Sequence, residues 1–107
     1  MMIAPAGARG IYRIALNAFI KETALNQAKN GVRANIISPG NIYFSGSRWE
    51  ELQNLNPQMV SNTLEKDVPL GRFIAPVEIA AAIRFLSSKE AYNITGANLV
   101  IDGGQSL

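Results

Sequence analysis

The chain has neither histidine nor cysteine, and three sets of its residues have types and spacing that could do chemistry. Arg9 and Arg13 stand four apart and share one face of a helix. Two guanidinium groups so placed can hold a phosphate or a carboxylate, or they are solvated charges near a helix start. Asp102-Gly103-Gly104 couples one carboxylate to two glycines; that is too few ligands for a metal such as calcium, and it suits a turn after a strand. The third set is Pro39-Gly40-Asn41-Ile42, a bend that follows an apolar run. In open α/β sheets ligands sit at the C-terminal ends of the strands, where such a bend lies. The single tryptophan, Trp49, either lines a pocket or packs, and its helical spacing suits packing.

Composition removes several function classes. The missing residue types exclude disulfides, thiol catalysis, the usual zinc sites and a Ser-His-Asp triad. The formal net charge is +2, and the ten Lys and Arg are scattered rather than interleaved with aromatics. No nucleic-acid partner is therefore expected. No apolar run approaches the ~18 residues of a membrane span, and residues 1–10 lack the apolar core of a signal peptide. A cytoplasmic location is the default expectation.

The elements that must position these residues read as α/β. Residues 1–8 are expected to be a flexible terminus. Over 9–30 the apolar residues Ile11, Ala15, Ala18, Phe19, Leu25 and Ala28 follow helical spacing, with a second row at Tyr12, Leu16 and Ile20. Gly31 ends that helix. Residues 33–37 read as a short parallel strand buried on both faces. Residues 41–75 form a loop carrying two short helices, about 47–54 and 57–66. Ser47 with Glu50 fits a capping box, and Asn56-Pro57 fits an N-cap with proline at the first helical position. Val68–Ile74 reads as loop. A helix follows over 76–87, its N-cap at Ala75 lacking a side-chain oxygen and its inner face at Ile79, Ala82, Ile83 and Leu86. A second strand is expected at 97–101. The whole chain, 1–107, is one partial domain: helix and strand over 9–40, the loop region over 41–75, helix and strand over 76–107.

Five segments together resemble the C-terminal part of the short-chain dehydrogenase/reductase family: ALNAFIKETA (15–24), GVRANIISPGNI (31–42), PLGRF (69–73), PVEIAAAIRFLSS (76–88) and ITGANLVIDGG (94–104). The NIYFSGSRW stretch is similar to a subgroup labelled 3-oxoacyl-carrier-protein reductase-like. The resemblance implies a partial Rossmann-like fold, the last helix–strand–helix–strand portion of a doubly wound parallel sheet. It implies NAD or NADP as cofactor, no metal, and Pro39, Gly40, Asn41 and Ile42 as the segment whose main chain bonds the nicotinamide carboxamide. Phe44 stands where many members have a cofactor-contacting threonine. The family's tyrosine and lysine positions fall on Arg9 and Arg13. A guanidinium cannot replace a phenol as proton donor, because it stays charged. No Gly-rich dinucleotide string is present either.

These departures lead to the expectation of a chain that is catalytically incomplete alone, or of a non-catalytic self-associating module built on the same fold. A homo-oligomer is expected, or a partner chain supplying the N-terminal half. Leu16, Phe19, Ile20, Ile83 and Leu99 are expected among the residues an oligomer buries.

Overall fold

The computed structural model describes residues 9–107, with side chains from Tyr12 onward. The terminus expected over residues 1–8 lies outside the described residues. Four helices and two strands follow in the order α1 (Arg9–Gln27), β1 (Ile36–Pro39), α2 (Arg48–Leu55), α3 (Pro57–Asp67), α4 (Pro76–Ser87) and β2 (Asn98–Ile101). Single 3₁₀ turns occupy Ala28–Asn30 and Lys89–Ala91.

Each helix boundary has a local cause. The α1 helix tightens into a 3₁₀ turn and stops at Gly31, whose φ of 72° is left-handed and whose N–H donates to Ala28 C=O at 3.0 Å. At the start of α2, Ser47 Oγ accepts from Glu50 N–H. The Glu50 carboxylate does not return to Ser47, as a closed capping box requires. It accepts from Gly46 N–H at 2.6 Å, because Ser47 N–H is already donated to Phe44 C=O. Asn56 Oδ1 accepts from Met59 N–H at 3.1 Å and Pro57 opens α3. Ala75 offers no side-chain acceptor to α4, but Glu78 reaches back to accept from Ala75 N–H at 2.7 Å.

The two strands are parallel and form a two-stranded sheet in the register Ile36↔Asn98, Ile37↔Leu99, Ser38↔Val100 and Pro39↔Ile101. The first strand lies further along than residues 33–37. Over 33–35 the side chains of Arg33 and Asn35 make bonds that a regular ladder would give to the backbone. Pro39 is tolerated at the strand's end because Ile36 and Gly40 turn their N–H groups to β2, and an odd-numbered residue faces away from that ladder.

Among the described residues the buried apolar ones are few and dispersed: Ala24, Ile36, Val60, Val68, Ile74 and Ala91. Val60 is fully enclosed on α3. Many bulky apolar side chains remain open, among them Ile14, Phe19 and Leu25 on α1 and Val77 and Phe85 on α4. Ile83, expected on the inner face of α4, is 52% exposed. The expectation of strands covered on both faces holds for Ile36 only. Asn98, Leu99 and Val100 of β2 are exposed.

Candidate functional site

Sequence places the candidate site at the bend after β1, and the structure builds that bend from three segments. The first is Pro39–Ile42 itself. Gly40 N–H donates to Ile101 C=O at 2.8 Å, which extends the ladder one residue past β1. A Cβ at Gly40 would lie 2.8 Å from Asp102 Cβ and 2.9 Å from its Cα. Glycine is therefore required here by close approach of two chains rather than by a special φ.

The second segment is Asp102–Gly104. Asp102 caps its own turn: Oδ1 accepts from Gly104 N–H at 2.9 Å and Oδ2 from Ser106 N–H at 3.0 Å. The Ser106 hydroxyl and these backbone amides hold the carboxyl below its ordinary pKa. Asp102-Gly103-Gly104 is thus a turn, with the carboxylate satisfied internally. Among the described residues no cluster of three or more acidic side chains forms a metal site.

The third segment is the loop expected at Val68–Ile74, which covers the other two. Leu70 N–H donates to Gly103 C=O at 2.9 Å. Val68 and Pro69 lie so close to Gly103 and Gly104 that a Cβ at either glycine would meet them at 2.8 and 3.0 Å. At its far end the loop pairs with the bend, Ile42 forming a parallel bridge with Ile74. That pairing escaped the sequence reading, although an apolar Phe73-Ile74 pair directly before Ala75-Pro76 was a usable signal.

The bridge decides what Ile42 presents. Tyr43 N–H donates to Ile74 C=O and Ile74 N–H donates to Asn41 C=O, both at 3.0 Å. In a parallel pairing of this kind the partner strand bonds to the residues on either side of the bridge residue, whose own N–H and C=O point the opposite way. Ile42 therefore turns one donor and one acceptor away from Ile74, at the C-terminal edge of the sheet. Phe73 anchors the outer side, with its ring centroid 5.3 Å from that of Tyr43 and 5.1 Å from that of Trp49. Trp49 is a packing residue in this arrangement. Phe44, next to Tyr43 in sequence, is half exposed.

Among the described residues no hydrogen bond or ion pair brings Arg13 to this edge. Arg13 is exposed on α1, and the side chain of Arg9 lies outside the described residues. Two residues that sequence reasoning passed over take part in positioning the bend. Arg33 and Asn35 bond across to Ile94 and Ala97 ahead of β2, and Arg33 also bonds to Leu86 of α4. The visible signal was Arg33 and Asn35 alternating with apolar residues over Val32–Ile37.

Comparison with known proteins gives a consistent picture. Residues 1–106 match a family model described as enoyl-(acyl carrier protein) reductase. An L-fucose dehydrogenase from Bos taurus is 43% identical over 95 residues, covering 87% of this chain and 34% of that protein. An isoepoxydon dehydrogenase from Aspergillus clavatus is 36% identical over 100 residues, covering 94% of this chain and 38% of that protein. Among solved structures, the Pseudomonas aeruginosa RhlG/NADP active-site complex superposes with a TM-score of 0.82 at 28% identity, over 99% of this chain and 41% of that one. A 4-hydroxyisoleucine dehydrogenase complexed with NADH gives 0.79 at 29% identity, over 98% and 42%. The chain thus spans roughly two-fifths or less of each of these four proteins.

Proposed function

Because the chain belongs to the short-chain dehydrogenase/reductase family, we propose that its residues form the nicotinamide-side wall of an NAD(P)-dependent oxidoreductase site. Pro39, Gly40, Asn41 and Ile42 are the cofactor-contacting segment in this reading. The observation that carries it is the outward N–H and C=O of Ile42 at the C-terminal edge of the parallel sheet. A carboxamide offers one acceptor and two donors, so a single residue presenting N–H and C=O side by side is its complement. Ligands of open α/β sheets bind at this edge. When bound, the nicotinamide supplies hydride-transfer chemistry; this chain's share is to hold the carboxamide and so orient the ring. The NADH and NADP named in the similar structures support a dinucleotide, without selecting between the two.

The 107 residues alone are expected to show no turnover. Arg9 and Arg13 occupy the positions at which the family's proton-donating tyrosine and its lysine fall. The phenol needs a lowered pKa to work, and an arginine at its position cannot titrate in the useful range. A complete site requires a segment supplying the dinucleotide loop and that pair. Titration of NADH and of NADPH into the chain, followed by nicotinamide and Trp49 fluorescence, tests the binding part. Saturable binding that Gly40→Val abolishes is expected. Binding unaffected by Gly40→Val would place the cofactor elsewhere. Ketone or 3-oxoacyl thioester reduction above background by the isolated chain would overturn the second part.

A self-associating module without chemistry is the second reading. The open apolar face of α1 favours it, with Ile14 at 73% and Leu25 at 78% exposure. Association without any nucleotide binding would support it over the first.

A further inference from the structure

We infer that Asn35 is a positioning residue whose carboxamide sets the register in which β1 meets β2, and through it the placement of the Pro39–Ile42 bend. The pairing between the two segments is not continuous. Gly96 N–H donates to Ala34 C=O at 2.7 Å, but Ile36 N–H then donates to Ala97 C=O at 2.8 Å. A regular parallel ladder continuing from the first bond would take Ile36 N–H to the carbonyl of Gly96. The segment leading into β2 therefore carries one extra residue, a bulge, made possible by the φ of 70° at Gly96.

A bulge leaves ladder groups without their partners, and here one side chain takes them up. Asn35 Oδ1 accepts from Ala97 N–H at 3.0 Å, and Asn35 Nδ2 donates to Ile94 C=O at 3.0 Å. A single planar amide thus spans the bulge from end to end. Arg33 reinforces the same anchor. Its Nη1 donates to Ile94 C=O at 2.9 Å and its Nη2 to Leu86 C=O at 2.6 Å, which ties the bulge to the C-terminal turn of α4. Thr95 Oγ1 takes Ala34 N–H at 3.1 Å.

Without the extra residue, Ser38 would face Leu99 instead of Val100. A slip of one residue turns every side chain of a strand to the opposite face. It would also remove Ile101 C=O from Gly40 N–H and draw Gly40 away from Asp102. The functional importance of this register rests on the reading of Pro39–Ile42 as the cofactor segment, whereas the register itself is read without any cofactor. Failure of nucleotide binding and failure of the present inference are therefore separate results.

The chain contains no cysteine, so introduced pairs report register cleanly. Ser38→Cys with Val100→Cys reads the observed register, and Ser38→Cys with Leu99→Cys reads the slipped one. Oxidation of each pair is compared with Asn35 intact, in Asn35→Ala and in Asn35→Asp, with circular dichroism confirming that each chain is folded. The parent is expected to favour the 38–100 bond. Asn35→Ala is expected to reduce the ratio of 38–100 to 38–99 product about tenfold, as two lost hydrogen bonds of ordinary net strength allow. Asn35→Asp keeps the acceptor for Ala97 but not the donor for Ile94, and is expected to reduce the ratio by an intermediate factor. If Asn35→Ala does not fold, Asn35→Asp decides the question. An unchanged ratio in a folded variant would overturn the inference, since Asn35 would then stabilise the pairing without choosing it.

Discussion

Gly40 and Asp102 meet at the edge of the sheet, and each supports a measurement. Gly40 has no positive φ, so replacing it tests contact alone. Gly40→Ala sets a methyl group against the backbone and Cβ of Asp102. The expected loss is about 1–3 kcal/mol, the usual range for overpacking without room to relax, read as a lower urea midpoint. Asp102 supports a pH experiment. Its carboxyl titrates below the ordinary aspartate range in the folded chain, the Ser106 hydroxyl being the main cause. A depressed folded pKa means that the unfolded chain binds the proton first as pH falls. The contribution is thus fully present above the ordinary aspartate pKa and is lost as pH drops through the lower folded value. Asn at 102 removes the charge at all pH values. Asp102→Asn is expected to flatten the acid limb of the stability profile while leaving its alkaline limb unchanged.

At the scale of elements, the helix caps make opposite predictions. Ser47 is buried, and its Oγ serves both Glu50 N–H and Phe44 N–H. Ser47→Ala is expected to cost about 0.5–2 kcal/mol. Ala75 has an extended backbone conformation suited to an N-cap but nothing to accept with. Ala75→Ser is expected to stabilise α4 by about 0.5–2 kcal/mol, seen as a higher urea midpoint with unchanged helicity. These caps also show what the sequence discloses. Cap residues, proline at the first helical turn and Gly31 act over three or four positions, so α1–α4 fall within a few residues of their expected ends. The strands were legible as elements and in their parallel pairing. Their limits were not, because the side chain of Asn35 and the conformation of Gly96 shift the ladder across 62 residues of sequence. For the candidate site, the bend at Pro39–Ile42 was legible. Its pairing with Ile74 and its closeness to Asp102 are long-range contacts that no local pattern specifies.

At the scale of the whole molecule, the described residues have little interior for the apolar surface they carry. Phe19 at 62% exposure and Ile83 at 52% sit on different helices, and β2 has an uncovered face. Fully burying such side chains contributes about 1.5–3 kcal/mol each, against a whole-domain stability of about 5–15 kcal/mol. Self-association of the isolated chain is the expected outcome, and sedimentation equilibrium at micromolar concentration measures it. Phe19→Glu is expected to weaken the association, while a cooperative monomer of the parent chain would rule it out. Sheet topology carries a further consequence, in time rather than in energy. The helices α2 and α3 are adjacent in sequence and can dock early. The sheet must wait for the ends of a long intervening loop to meet, and non-local parallel pairing is the slower kind of event. Trp49 rests on Phe73, inside that loop. Its fluorescence should therefore recover before Gly40 N–H becomes protected from hydrogen exchange, so that the candidate site is the last part of the chain to take shape.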